Sequence, residues 1–276
     1  MKGILLRVGI DSGTGGHHGP IYLDEGKFEY IPIPDDMYNP IRNDNETYEL
    51  TEGKKLGRLF SEYFPEGAKI SKKHIHFDPE FESGSYTYGD NTQKVHSFVH
   101  NKPSEKDLHE GDLLVFYAGL QPRINDNFLD NNLKKLYIIG YFTVRRVALR
   151  NGSEWKVKSG EELSGNLNEE GDPIEFSYNA HIKIKGQISG VLSEKMKKDM
   201  KKPLVIIQGY ESGSYLFPNK DIDRPIQISD DGNSDLMPAK IAHDLGIEKR
   251  YIRMSTPRLV VRDHIGKLKE MLGISG

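Results

Sequence analysis

His74, His76, Asp78 and Glu80 fall at every second position of the segment 73–81, KHIHFDPEF. In an extended chain these four share one side, with Ile75, Phe77 and Phe81 broadly on the other. Neutral imidazoles and carboxylates at that spacing suit a Zn, Mn or Fe ion, or a general acid–base pair. Pro79 favours an extended Asp78, which keeps the alternation in register. His76 and Asp78 are the expected catalytic residues, and His74, His76 and Asp78 the candidate ligands of a divalent metal. The same pattern also describes a structural edge strand with a polar outer face that ends at Pro79.

A second cluster precedes it. In RVGIDSGTGGHHGP (7–20), a strand delivers Asp11 and Ser12 into a glycine-rich turn whose backbone N–H groups can approach a ligand closely. Asp11 is expected to act as an acid, base or further metal ligand, with Arg7, Ser12, Gly15 and Gly16 binding substrate. The turn is not a phosphate loop of the Walker type, since no Lys-Ser/Thr pair follows. It is not a dinucleotide fingerprint either, since no helix pattern follows. A hairpin connection without a ligand is the alternative.

Tyr117 and Tyr141, with Arg123 between them in sequence, form a third candidate set. They could stack a base beside a cation. Aromatics within apolar runs such as LLVFYAGL and LYIIGYFTV more often build the core.

Other chemistries are closed by composition. The 276 residues contain no cysteine, which excludes disulfides, thiolate metal sites, iron–sulfur clusters and Cys nucleophiles. No Gly-x-Ser-x-Gly elbow is present. Hydrophobic residues make up 36% of the chain, without an apolar run of spanning length, so a cytoplasmic protein with no membrane partner is expected. The net charge of −3 is unevenly spread: residues 1–90 carry −6 and residues 187–276 carry +3. Within 249–269, Lys249, Arg250, Arg253, Arg258, Arg262, Lys267 and Lys269 face a single acid, Asp263. Such a stretch can meet a polyanion although the whole molecule is acidic. A solvated basic helix has the same composition.

The elements that must position these residues are mostly strands. Segments 3–10, 28–33, 113–118, 136–147, 174–185, 203–209 and 258–262 are rich in β-branched and aromatic residues and bounded by turn formers. In 174–185, Phe176, Tyr178, Ala180, Ile182 and Ile184 alternate with polar residues, the pattern of a half-buried strand. Gly140 is placed to let a strand bend. Helical spacing is expected after Thr51 (Leu56, Leu59, Phe60, Tyr63, Phe64), around Leu192, Met196 and Met200, at Ile241–Leu245, and from Asp263 with Ile265, Leu268, Met271 and Leu272 inward. Segments 33–50 and 148–173 read as long loops, the second anchored by Trp155. The expected class is α+β, mostly β: a bent mixed sheet or a small PUA-like barrel with a few peripheral helices. One domain spanning 1–276 is expected, with 148–173 the place for any division.

Four segments in order carry a family resemblance: LLRVGIDSGTGGHHGPIYLDEGKFEYIPIPDD, HIHFDPEF with the following Tyr88-Gly89-Asp90, GDLLVFYAGL and IIGYFTV. They resemble the nucleotide modification associated domain family, third of its series, over most of residues 4–147. NAHIKI near His181 and PLVIIQGY are placed as that family would have them. The resemblance implies association with systems that modify nucleic-acid bases, with their proteins as partners. It singles out Arg7, Asp11, Ser12, Gly15, Gly16, His76, Asp78, Pro79, Gly111, Asp112 and Phe116; Val8 stands where the family commonly has a basic residue. A shorter likeness links the GDLLVFYA strand to PUA-like RNA-binding barrels. The expected function is therefore a nucleic-acid or nucleotide base-modification-associated protein with an Asp/His cleft; the alternative is a non-catalytic reader holding a modified base between Tyr117 and Tyr141.

Overall fold

The structure, a computed structural model, describes residues 1–11, 17–34, 46–81, 85–91, 95–99, 104, 106–124, 127–129, 133–169, 171–182, 202–252 and 256–274. Three strands of twelve or more residues carry the sheet. The N-terminal half supplies β1 (Gly3–Arg7), β2 (Gly19–Tyr22), β3 (Lys27–Phe28), β4 (Ile33–Pro34), β5 (Ile75–His76) and β6 (Thr87–Asp90). Then come β7 (Leu113–Ile124), β8 (Asn127–Phe128), β9 (Lys135–Asn151) and β10 (Glu154–Gly160). The C-terminal part adds β11 (Leu204–Leu216), β12 (Ile226–Gln227), helix α1 (Ala239–Asp244), β13 (Arg258–Val260) and helix α2 (Ile265–Met271).

The main path runs β13-β1-β7-β9-β11-β6, with β1 parallel to β7 and the other neighbours antiparallel. β2 extends β7 in parallel, and β10 and β12 pair with β9. The curled mixed sheet makes a half-barrel, an α+β fold that is mostly β. β7 is buried on both faces from Leu113 to Arg123, which is why its first eight residues, Leu113 to Leu120, are an unbroken apolar run and not an alternation. Its partner β9 kinks where expected: the register shifts at Phe116/Tyr117, opposite Gly140. A Cβ on Gly140 would stand 2.3 Å from the Tyr215 carbonyl oxygen, so only glycine lets β11 approach there.

Three apolar clusters are formed among the described residues. The largest holds both faces of the sheet and includes Leu268 and Leu272 of the C-terminal helix region, both fully buried as their spacing predicts. The second gathers Ile10, Ile31, Tyr48, Phe60, Tyr63, Phe64, Ile70 and Ile75. The third joins Ala148, Phe176, Ile182, Leu204 and Ile206, with Trp155 and Leu163 packed on it. Among the described residues no helix is long and apolar enough to cross a membrane.

Several local expectations change. Residues 174–182 are not a strand: a 3-10 turn spans Ile174–Phe176 and a further helical turn begins at Ala180, while 183–185 lie outside the described residues. The Asn179 side chain accepts the His181 N–H at 3.1 Å and so competes with extended pairing. The apolar alternation is met differently: Phe176 and Ile182 enter the third cluster and Tyr178 is exposed. No continuous helix follows Thr51. Gly53 and Gly57, the latter at φ +64°, sit in turns, and only a 3-10 helix at Phe60–Tyr63 forms before Pro65. Its aromatic residues still pack as the spacing implied. The segment 28–33 divides between β3 and β4. The first part of 148–173 is not loop, because β9 continues to Asn151 and turns through Gly152 into β10. Trp155 anchors that hairpin, donating its indole N–H to Asp172 at 3.1 Å. The helix expected around Leu192–Met200 lies outside the described residues.

Candidate active site

β5 ends at His76, paired across to Ile33 of β4. Its polar alternation has no solvent face: His74, His76, Asp78 and Glu80 are all buried, and so is Ile75 on the other side. His76 and Asp78 meet a residue more than a hundred positions away, His181. One ligand-type atom from each of the three lies within 4.8 Å of the others. His181 Nε2 is 3.6 Å from Asp78 Oδ2, and the two imidazole rings stand at 82° with centroids 4.7 Å apart.

The carboxylate is held from behind. Gly89 of β6 donates its N–H to Asp78 Oδ1 at 2.7 Å, and the Tyr30 hydroxyl donates to the Asp78 carbonyl at 3.2 Å. Burial pushes the Asp78 pKa up from its ordinary value, while the His181 imidazole and the Gly89 N–H pull against it. Burial, with the Asp78 and Asp90 carboxylates nearby, also raises Tyr88 well above the usual phenol value. His181 is carried by the turn that Asn179 caps, and the fully buried Asn179 reaches Thr87 Oγ1 at 3.3 Å. The three chain segments come from different clusters: Ile75 beside His76 belongs to the second, Tyr88 beside Gly89 to the first, Ile182 beside His181 to the third. The site lies at their junction. His181, with 12% of its side chain exposed, is the most open of the three.

Arg7 and Asp11 form a centre of their own. Arg7 closes β1, and its Nη2 lies 2.7 Å from Asp11 Oδ2 and 3.3 Å from the Asp11 carbonyl. The Gly119 N–H also binds this carboxylate; burial raises the Asp11 pKa and Arg7 opposes it. Beside them His18 is held down to about 4, mostly by burial, then by Lys134 and Arg7. Tyr30 lies between the two segments: its ring backs onto Gly9 while its hydroxyl donates to the Asp78 carbonyl. Ser12, Gly15 and Gly16 lie outside the described residues.

The third candidate set sits in the core. Tyr117 is fully buried with its hydroxyl donating to the Ile252 carbonyl at 3.3 Å; Tyr141 is 5% exposed and packs on Tyr215 and Phe217. Arg123 is buried with its guanidinium 5.1 Å over the Tyr63 ring. His74 bridges to Thr47 and does not join the His76 group. In the basic stretch, Arg250 donates to the Met237 carbonyl, Arg258 to the Tyr251 carbonyl, and Lys267 pairs with Glu270. Lys249 and Arg262 are exposed; Arg253 lies outside the described residues.

Reasoning from the residue pattern missed His181, Asn179 and Gly89 as site residues. The signal was present in NAHIKI and in Tyr88-Gly89-Asp90, two segments placed as the resemblance required. Their local pattern pointed to sheet and turn, not to a shared centre. Two imidazoles and a carboxylate this close can pass a proton between them or share a divalent ion.

No curated protein and no solved structure matches the chain. Residues 2–197 match the family model of nucleotide modification associated domain 3, a span that holds His76, Asp78 and His181 as well as Arg7 and Asp11. With well over half its length matched, the chain belongs to the nucleotide modification associated domain 3 family.

Proposed function

We propose that the protein acts on bases of nucleic acid or of free nucleotides, with His76, Asp78 and His181 as its reacting centre. The observation that carries this reading is the junction itself. His76 and Asp78 from one segment meet the partly exposed His181 from another, more than a hundred residues away, within the part of the chain that the family model covers. Burial raises the Asp78 pKa, while the His181 imidazole and the Gly89 N–H oppose it, so these groups are coupled within one centre. Asp11 pairs with Arg7 and the Gly119 N–H, and we read it as lying outside the reacting centre. Exposed Lys249 and Arg262, on the basic C-terminal stretch, would hold phosphates.

The test has two arms. Nucleosides digested from DNA, RNA and nucleotide pools incubated with the protein are examined by mass spectrometry. Binding to the same substrates is measured at several salt concentrations. His76→Ala, Asp78→Asn and His181→Ala should abolish any change in the bases while binding stays within about tenfold, roughly 1.4 kcal/mol. Removing Lys249 and Arg262 together should lower the salt slope by about two. Unchanged bases, with binding that survives the His76, Asp78 and His181 variants, would replace this reading by that of a non-catalytic reader.

A further inference from the structure

We propose that His76, Asp78 and His181 bind a first-row divalent transition ion, of the zinc or ferrous class, as the resident cofactor of this centre. The inference rests on the reading of the same cluster as the reacting centre and names what it holds.

The donor set is chemically suited. Two imidazoles and one carboxylate match the borderline ions, and the chain has no thiolate to compete for them. The spacing is suited too. Ligands about 2.0–2.2 Å from an ion stand about 3–3.5 Å from each other. The His181 Nε2 to Asp78 Oδ2 separation of 3.6 Å is close to this. The widest pair, no more than 4.8 Å, asks only for small side-chain rotations.

The surroundings are those of ligands held in place. One Asp78 oxygen is taken by the Gly89 N–H, which leaves the other to face His181. The backbone of His181 is pinned by Asn179, itself tied to Thr87. Outer partners of this kind orient metal ligands and sharpen affinity. Three protein ligands leave coordination positions free for water or substrate, the pattern of catalytic and not structural sites.

The experiment treats the full-length protein with chelator, dialyses it, and titrates it with Zn²⁺ and separately with Co²⁺. Calorimetry gives stoichiometry and affinity, Co²⁺ absorption reports coordination, and thermal melts report stability. One ion per chain should bind and raise the melting midpoint, and Co²⁺ should show ligand-field bands of low coordination number. Each of His76→Ala, Asp78→Asn and His181→Ala should weaken binding more than about 100-fold, since loss of an outer partner alone costs 10–100-fold. His243→Ala removes a highly exposed histidine and should leave affinity unchanged.

Should an alanine variant fail to fold, Gly89→Ala gives a second measure. A Cβ there would stand 2.4 Å from His181 Cδ2 and push that ring aside, weakening binding while all three ligands remain. Absence of stoichiometric binding to the folded, metal-free protein would overturn the proposal. So would binding that survives the histidine variants. The two readings fail separately: loss of base modification in His76→Ala without any metal binding would leave the reacting centre standing and remove the ion. Stoichiometric metal binding without any change to bases would do the reverse.

Discussion

Gly89 and His181 compete for one volume: a methyl group added at position 89 would lie 2.4 Å from His181 Cδ2 and 2.8 Å from Asn179 Oδ1. The missing side chain on β6 is what admits the imidazole to the cluster, and the Gly89 N–H completes it by binding Asp78. Gly89→Ala should therefore cost about 1–3 kcal/mol in urea unfolding, the usual range for overpacking. It should reduce base-directed turnover far more than that modest loss of stability suggests. Equal effects on turnover and on the folded fraction would show that Gly89 matters only to packing.

The Arg7–Asp11 pair should behave as a buried ion pair, with side chains 9% and 1% exposed. Arg7→Met leaves the carboxylate without its counter-charge and should destabilise by about 3–5 kcal/mol. Arg7→Met with Asp11→Asn should recover most of that loss, and a double-mutant cycle in denaturant measures the coupling. The refolded double variant should keep base-directed turnover within about tenfold, because the two residues serve one another. Abolished turnover in a well-folded double variant would make Asp11 a member of the reacting centre.

His18 makes stability depend on pH. Its pKa falls from 6.5 in the unfolded chain to about 4 in the folded one, chiefly through burial. Between those values the unfolded chain binds the extra proton, so stability is complete above about pH 6.5 and declines as pH falls towards 4. The total effect is at most about 3 kcal/mol. Asp11 and Asp78, both raised by burial, act in the opposite sense, favouring the folded state as they protonate. The comparison that isolates His18 is wild type against His18→Gln: the variant should lose less stability between pH 6.5 and 4.5. Parallel curves would refute the assignment.

Asp172 ties the β9–β10 hairpin to the turn that carries His181. It is 1% exposed and receives Arg150 Nη1 at 3.3 Å and Trp155 Nε1 at 3.1 Å. Arg150 is itself buried, with its guanidinium 5.7 Å from the Trp155 ring. Asp172→Ala leaves that cation without its carboxylate and should cost about 3–5 kcal/mol. Hydrogen exchange should show the loss concentrated in 172–182 and the hairpin, with the β1–β7 pairing protected as before.

Much of this architecture is written locally. LLVFYAGL reads as a strand buried on both faces because β-forming residues run on without a polar interruption, and β7 is that strand. Leu268 and Leu272 read as the inner face of a terminal helix because they lie four apart, and both are fully buried. His76 and Asp78 share a side because extended chain repeats every two residues. Period alone also misled: Phe176, Ala180 and Ile182 fit a strand, yet they are buried from a chain of tight turns, since a side-chain amide at Asn179 offered the backbone other partners.

What the amino-acid order determined by itself was the family, the mostly-β class, and one edge of the candidate centre in His76 and Asp78. Only the tertiary structure decided that their companion is His181 and that Asp11 belongs to Arg7. Periodicity is a property of neighbours along the chain, and so it can be read from them. The meeting of three apolar clusters is set by long-range packing, in which a glycine's empty space at position 89 counts as much as any functional group.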